Sequence, residues 1–455
     1  MGKKLIIFSI LSFACLGLVY AAVENIKVSG DINLEGIARD LSLGGAVGVD
    51  AEQFALSQVR LRFDADLTEN VSAVVRLINE RVWGASDEYD VYSDNDQIML
   101  DLGYVELKEF LYQPLTLTIG RQELKYGNGL IVGDPDTNSF VSSTDLSVSN
   151  FADLSLRKSF DAVKAVLDFS PWTLDLVYAK VLEGDTYIDD DVTLAGGQLS
   201  YKWNSYNGVT EAYFWTADNN RNGATYGLVT TQPKENQATT YVVGGRVQLN
   251  PVERLLLSLE GAYQFGDVYV YVNDTNNFGY QHLSAWAGQL VAEYSLDMRY
   301  TPKIGLMFSY LSGDDDKTDK KHNGWDPLFE DQSAGEIINI LFPNSNSMTI
   351  KAYGSMKPRE DITLGLAYIY TKLAQRLDGT TYTPPISVWS ASENTYSIDR
   401  NESYLGSEID AYALYDYTED VQIKLSGAWF IPGDFFRGDN DDVAYSLRAG
   451  IKVTF

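Results

Sequence analysis

Residues 444–455 read AYSLRAGIKVTF, and their side chains alternate strictly. Tyr445, Leu447, Ala449, Ile451, Val453 and Phe455 are apolar or aromatic, while Ser446, Arg448, Gly450, Lys452 and Thr454 fill the other parity. Neighbouring side chains of an extended strand point to opposite faces, so this segment is a strand with one greasy and one wet face. The pattern recurs along the chain. In VRLRFDADL, Val59, Leu61, Phe63, Ala65 and Leu67 alternate with Arg60, Arg62, Asp64 and Asp66. Trp172, Leu174, Leu176 and Tyr178 share a parity, as do Ile304, Leu306, Phe308 and Tyr310, and again Val421, Ile423, Leu425, Gly427 and Trp429. Each run is close to the roughly 9–11 residues with which a tilted strand crosses a bilayer.

The spacing predicts 18 strands, beginning with 24–34 and ending with 443–455, and including 255–265 and 283–294. Short connections alternate with longer ones, the longest being 124–159, 313–346 and 374–403. The expected fold is therefore all-β: a transmembrane antiparallel β-barrel with short periplasmic turns and long extracellular loops. Aromatic residues near strand ends, among them Trp172, Trp203, Trp215, Tyr310, Tyr417 and Trp429, fit belts at the lipid interface. Closure also removes the exposed edges that an open sheet of this size would carry. A large extracellular solenoid is the competing architecture. At this strand number side chains do not fill the interior, so an aqueous lumen is expected rather than a packed core.

The N-terminus reads MGKK followed by the apolar run LIIFSILSFACLGLVY and then Ala21–Ala22. A basic start, a short greasy stretch and small residues predict a secretory signal peptide over 1–22 and a single barrel domain over 23–455. The single cysteine, Cys15, falls inside the removed segment, so no disulfide framework is expected. The formal net charge of −28 disfavours nucleic-acid binding.

On the non-apolar parity of the strands stand Arg60, Arg62, Arg76, Lys164, Lys202, Arg246, Lys303, Lys351, Lys424, Arg448 and Lys452. Against these basic residues stand Asp64, Asp66, Glu80, Asp168, Asp175, Glu260, Glu293, Glu408 and Asp410. The inner wall is thus mixed and slightly basic, while the negative surplus lies in loops and turns. Guanidinium groups hold carboxylates bidentately, and charged rings set ion preference, so these side chains are candidates for handling an anionic solute. Opposite charges on neighbouring strands can equally be cross-braces of a water-filled barrel. The loop carboxylates Asp87, Glu88, Asp90, Asp94, Asp96 and Asp189 to Asp191 would repel polyanions at low salt. The run Asp314–Asp316 does not make a calcium hand: counted from Asp314, Thr318 stands at the fifth position and Asp319 replaces the glycine of the sixth. A solvated acidic loop is the simpler reading.

Four motifs carry a family resemblance. SGDDD followed by NGWDPLF (312–329), IGRQELKYGNGLIVGD (119–134), LGSEIDAYALYDY (405–417) and IPGDFF (431–436) together resemble the alginate export family of outer-membrane porins. Ending on phenylalanine after an alternating strand also resembles bacterial outer-membrane barrels. The resemblance implies an 18-stranded monomeric barrel that conducts an acidic polysaccharide outward by diffusion through an arginine-lined constriction. It implies that Arg121, of GRQE, and Arg157, before SFDAV, face the lumen, and that Glu408 and Asp410 are an inward acidic pair near them. Ile119 and Arg121 share a parity, so a bulge at Gly120 is expected to turn Arg121 inward.

The expected partners are outer-membrane lipid, an anionic polysaccharide or another hydrophilic solute, and a periplasmic secretion partner. A general or substrate-selective porin for small nutrients is the alternative function, and a surface adhesin with a plugged bore is another. The two histidines, His282 and His322, have no serine and carboxylate at recognisable spacing, so no enzyme is expected. No metal cluster, phosphate-cradling loop or cofactor motif is read in the sequence.

Overall fold

The computed structural model describes residues 25–45, 51–84, 98–135, 152–183, 191–219, 238–273, 277–314, 320–377, 396–438 and 440–455. The predicted signal peptide, the acidic residues Asp87 to Asp96, Asp189, Asp190, Asp315 and Asp316 and the middle of the 124–159 loop lie outside the described residues.

Long alternating runs pair with their sequence neighbours. The strands are β1 (Asn25–Asp40), β2 (Glu52–Thr68), β3 (Val71–Val82), β4 (Met99–Leu107), β5 (Leu115–Glu123), β6 (Ser159–Phe169) and β7 (Trp172–Leu182). They continue as β8 (Val192–Lys202), β9 (Val209–Asn219), β10 (Ala238–Val252), β11 (Leu255–Asn273), β12 (Asn277–Ser295) and β13 (Lys303–Leu311). After the two-residue β14 (Lys321–His322) come β15 (Ser347–Arg359), β16 (Ile362–Leu373), β17 (Tyr404–Asp416), β18 (Val421–Pro432) and β19 (Ala444–Thr454). All belong to one 19-stranded sheet in which β1 pairs with both β2 and β19. Leaving out β14, a loop fragment lying parallel to β12, gives a closed antiparallel barrel of 18 strands. The last residue completes the seam: Gly30 and Phe455 exchange backbone hydrogen bonds of 2.8 and 3.0 Å.

Strand number agrees with the sequence expectation, but some lengths do not. β1 reaches Asp40, and β11 and β12 extend to Asn273 and back to Asn277, each 19 residues long. The expected strands 255–265 and 283–294 leave 266–282 as a connection, but continuous pairing with the facing strand carries the ladder further.

One face of the wall is apolar and open. Leu176, Leu259, Leu306, Leu366 and Leu425 all expose their side chains, Leu259 and Leu366 by 60% each. Trp172, Trp203, Tyr417 and Trp429 are exposed too, as expected for interface aromatics, and Trp286 stacks on Tyr310 at 4.3 Å. Trp215 departs from that expectation. It is fully buried on the inner face, against Tyr126 at a ring distance of 4.9 Å.

Trp215 belongs to a larger difference. The barrel interior is not simply aqueous, because three apolar clusters form inside it near the end opposite the short turns. Inner-face residues such as Phe160, Val177, Ala179, Leu194 and Val242 meet Leu124, Leu130, Ile131 and Val132 from the chain after β5, and Trp325 and Phe329 from the chain after β14. Ile369, Leu405, Phe430, Phe435 and Phe436 meet Ile337 to Phe342. Width alone would leave a hole. Here the connecting segments fold inward and offer their own apolar side chains as the missing half of a core.

Candidate functional site

Three segments occupy the lumen: 124–135 after β5, 152–158 before β6, and 320–346 between β13 and β15. The third is called the strap below. The first and third are zipped together by backbone bonds, Gly133 N to Phe329 O (2.7 Å), Phe329 N to Ile131 O (3.1 Å) and Asp331 N to Gly129 O (2.8 Å). Asn128 fastens the first segment to the wall. Its N–H donates to Glu260 Oε2 at 2.9 Å, and its Oδ1 accepts from Arg246 at 3.1 Å. Asp331 joins all three segments, receiving Lys125 at 2.6 Å and also Lys158. Burial pushes the Asp331 carboxyl up, but the two ammonium groups outweigh it and hold it below the usual carboxylate range.

The strap turns through a short helix, Ile338–Leu341, whose start is held by Glu408 of β17. Glu408 is fully buried. Its Oε1 accepts the backbone N–H of Glu336 at 2.6 Å and of Ile337 at 2.8 Å, and its Oε2 that of Ile338 at 2.6 Å. Three donors that the helix cannot satisfy internally thereby end on one carboxylate. Further fastenings are Lys351 to Ala334 O (2.7 Å), Arg448 to Glu336 (2.8 Å) and Ser446 to Glu336 (2.7 Å).

Below the strap, toward the short turns, remains a cavity of about 630 Å³. Its basic lining is Lys158, Lys303, Lys351, Lys424 and Arg448, and its acidic lining is Asp153, Glu293, Asp331, Glu336 and Asp410. The two signs are sorted. The barrel wall supplies most of the cations, whereas Asp153, Asp331 and Glu336 come from inserted segments. Half of these charges are already matched: Lys158 by Asp331, Arg448 by Glu336, and Asp153 by Arg39 at 3.0 Å. Among the described residues, Lys303 and Lys424 have no carboxylate within ion-pair distance.

The arginines singled out in the sequence lie on the inner wall but are engaged. Arg60 pairs with Asp31 at 2.6 Å, Arg62 with Asp64 at 2.7 Å, Arg76 with Asp101 at 2.5 Å and with Glu123, and Arg246 with Glu211 at 2.5 Å. Arg157 lies 3.5 Å from Glu80, itself bound by Ser155 Oγ and the Leu156 N–H. Lys164 interacts with Asp175, and Lys202 is exposed at the short-turn end, paired in register with Val209. The arginines brace the wall, as the cross-brace reading has it, whereas Lys202 has no carboxylate within ion-pair distance among the described residues.

Arg121 is a correction. It keeps the parity of exposed Ile119, is in register with Asp161, and grips that carboxylate at 2.9 and 2.7 Å on the outer face. Gly120 does have a positive φ of 123°, but for another reason: a Cβ there would stand 2.2 Å from the carbonyl of Gly103. The alternation passes through Gly120, since Gln122 is again buried on the inside, and turns only at Glu123, whose carboxylate meets Arg76. Arg121 and Arg157 therefore do not meet. Glu408 anchors the strap rather than pairing with either of them, and Asp410 interacts with Lys351 and lines the cavity. Asp314 is likewise no solvated loop residue. Its side chain is buried, accepts the Asn323 N–H at 3.1 Å and lies 3.5 Å from His322.

Sequence reasoning counted Lys303, Lys351 and Lys424 on the inner face without giving them weight. Their signal was present: each sits on the wet parity of its strand without a carboxylate two residues away. The contribution of Asp331 and Glu336 had no such signal, because the strap has no repeating pattern.

Comparison with known proteins places this geometry. The family model described as "Alginate export" matches residues 37–449. No curated protein matches. Among solved structures the chain is similar to Pseudomonas aeruginosa OpdQ, with 14% identity, a TM-score of 0.53, and coverage of 95% of this chain and 98% of that one. It is also similar to Acinetobacter baumannii OccAB4, at 11% identity, TM-score 0.53 and coverage of 96% and 99%. A third is P. aeruginosa OccK2 (OpdF) in complex with glucuronate, at 12% identity, TM-score 0.52 and coverage of 95% and 99%. At such identities the likeness is one of fold.

Proposed function

The chain belongs to the alginate export family and is an outer-membrane channel; from that premise we propose that its solute is a carboxylate-bearing saccharide of the alginate type, crossing by diffusion. The observation that carries this reading is the pair Lys303 and Lys424. Both face the cavity, and neither is neutralised by a described carboxylate. An ammonium without a protein partner on the wall of a confined cavity attracts mobile anions, because the low-dielectric walls focus its field. The opposite lining fits the rest of such a solute. Asp331, Glu336 and Asp410 offer acceptors to sugar hydroxyls, while the wall lysines take the carboxylate. The glucuronate bound to OccK2 supports a barrel of this shape handling a uronate.

In this reading the short turns lie in the periplasm, the long loops face outward, residues 1–22 are removed on export, and residues 23–455 act as a monomer. A periplasmic partner would deliver the polymer. Purified channels in planar bilayers should prefer anions, and uronate oligomers should block the current. Cation preference with no block would overturn the proposal. The packed inner clusters favour a second reading, uptake of small solutes, since they leave a confined cavity rather than a wide bore. Liposome swelling with neutral sugars of increasing size separates the two, as a small-solute channel passes the smaller ones regardless of charge.

A further inference from the structure

Two tyrosines in the cavity lie in an unusual way. A methyl group built on Gly305 would fall 2.2 Å from the ring of Tyr353, and one built on Gly365 would fall 2.2 Å from the ring of Tyr412. Each ring therefore occupies the space where its cross-strand partner would carry a side chain, lying flat on the backbone. The register confirms the pairing, Gly305 with Tyr353 and Gly365 with Tyr412. Small residues flank the other side as well, Ala367 beside Tyr353 and Ser426 beside Tyr412. For Tyr412, one face on the wall and low neighbours on both sides leave the other face toward the space in front of it. Both tyrosines line the cavity, and Tyr412 is 37% exposed.

Tyr353 is the less open of the two, since it packs against the inner apolar cluster and its hydroxyl donates to Glu293 at 2.7 Å. A third pair goes further and serves packing alone. Tyr213 lies over Gly244 in the same manner, but it is buried and its hydroxyl is tied to Glu260 at 3.0 Å. The Tyr412 hydroxyl has no hydrogen-bond partner among the described residues, and the ring remains open.

We propose that Tyr412 is a stacking platform for the ring of a pyranose sugar whose carboxylate is held by the wall lysines. The inference rests on the function proposed above and adds the requirement that the solute be cyclic. A pyranose presents C–H bonds on one face and hydroxyls at its edge, so it pairs an apolar face with an aromatic plane and leaves its polar rim for charges. Those charges surround the platform. Lys351 lies two residues from Tyr353, with its ammonium 5.8 Å from that ring's centre, and Asp410 lies two residues from Tyr412.

The test compares a cyclic uronate, glucuronate, with gluconate, an open-chain acid of equal charge, as blockers of single-channel current. Wild type should require about fivefold less glucuronate than gluconate, the size of one face-on ring contact. Tyr412→Leu, which keeps an apolar side chain but no flat face, should make the two acids equal, and Tyr412→Phe should restore the difference. Salt conductance reports that each variant is an open, folded barrel. If wild type is blocked equally by both acids, or if Tyr412→Leu keeps the preference, the platform is refuted while the anionic solute stands. If neither acid blocks, both proposals fall.

Discussion

Replacing Glu408 by alanine would test whether one carboxylate holds the strap in the bore. The substitution leaves the N–H groups of Glu336, Ile337 and Ile338 without their acceptor at 2.6–2.8 Å. Each unsatisfied buried donor costs about 1–3 kcal/mol, but water entering from the cavity recovers part of this, so about 3 kcal/mol for all three is a fair figure. That is roughly a 150-fold shift toward the released strap. The barrel itself should persist, because the 18-strand ladder does not run through Glu408's side chain. A strap released about one part in a thousand of the time would then be released for roughly a tenth of it. Single-channel recordings should show frequent brief steps to higher conductance, with gel mobility of the unheated barrel unchanged. Glu408→Gln keeps one acceptor but turns an amide donor toward the strap, and should be intermediate. A Glu408→Ala channel with wild-type conductance and no added steps would refute the reasoning, since the apolar contacts of Ile337 to Phe342 would then hold the strap alone.

Other outcomes follow from the same geometry. The pairing of Asp331 with Lys125 and Lys158 depresses its carboxyl, so the latch stabilises the inserted segments above the ordinary carboxylate pKa of about 4 and is lost as the pH falls through the lower folded value. Current noise should therefore rise only in acid, and Asp331→Asn should show that noise already at neutral pH; noise independent of both would contradict it. Reversing both free cations, Lys303→Glu with Lys424→Glu, should lower the anion-to-cation permeability ratio by about tenfold or more, read from the reversal potential in a salt gradient. Arg121→Ala should leave that ratio unchanged, because the side chain faces outward; a marked loss of anion preference would return Arg121 to the lumen.

Much of the architecture was legible in the residues. Alternation with a period of two gave the strands, their number and which parity faces lipid, and Leu176, Leu306 and Leu425 stand where that parity puts them. The inner side was harder to read. Val177 and Ala179 occupy the wet parity of their strand yet are buried, and around Trp215 both parities are apolar. Those breaks in the alternation, on the half of each strand away from the short turn, were the available sign that something apolar covers the wall. Charges misled in the opposite way. Arg60, Arg76 and Arg246 looked available for a solute because their carboxylate partners come from other strands or segments.

By itself the sequence determined that the chain closes into a barrel in lipid, since a repeating backbone pattern must satisfy every N–H and C=O across neighbouring strands. Which charges remain free, and how wide the passage is, only the tertiary structure decided. Those properties depend on aperiodic segments reaching across the lumen to particular partners, as Glu336 does to Arg448 and as Glu408 does to the strap. Long-range pairing of that kind leaves no period in the chain, so it becomes visible only when the two sides are brought face to face.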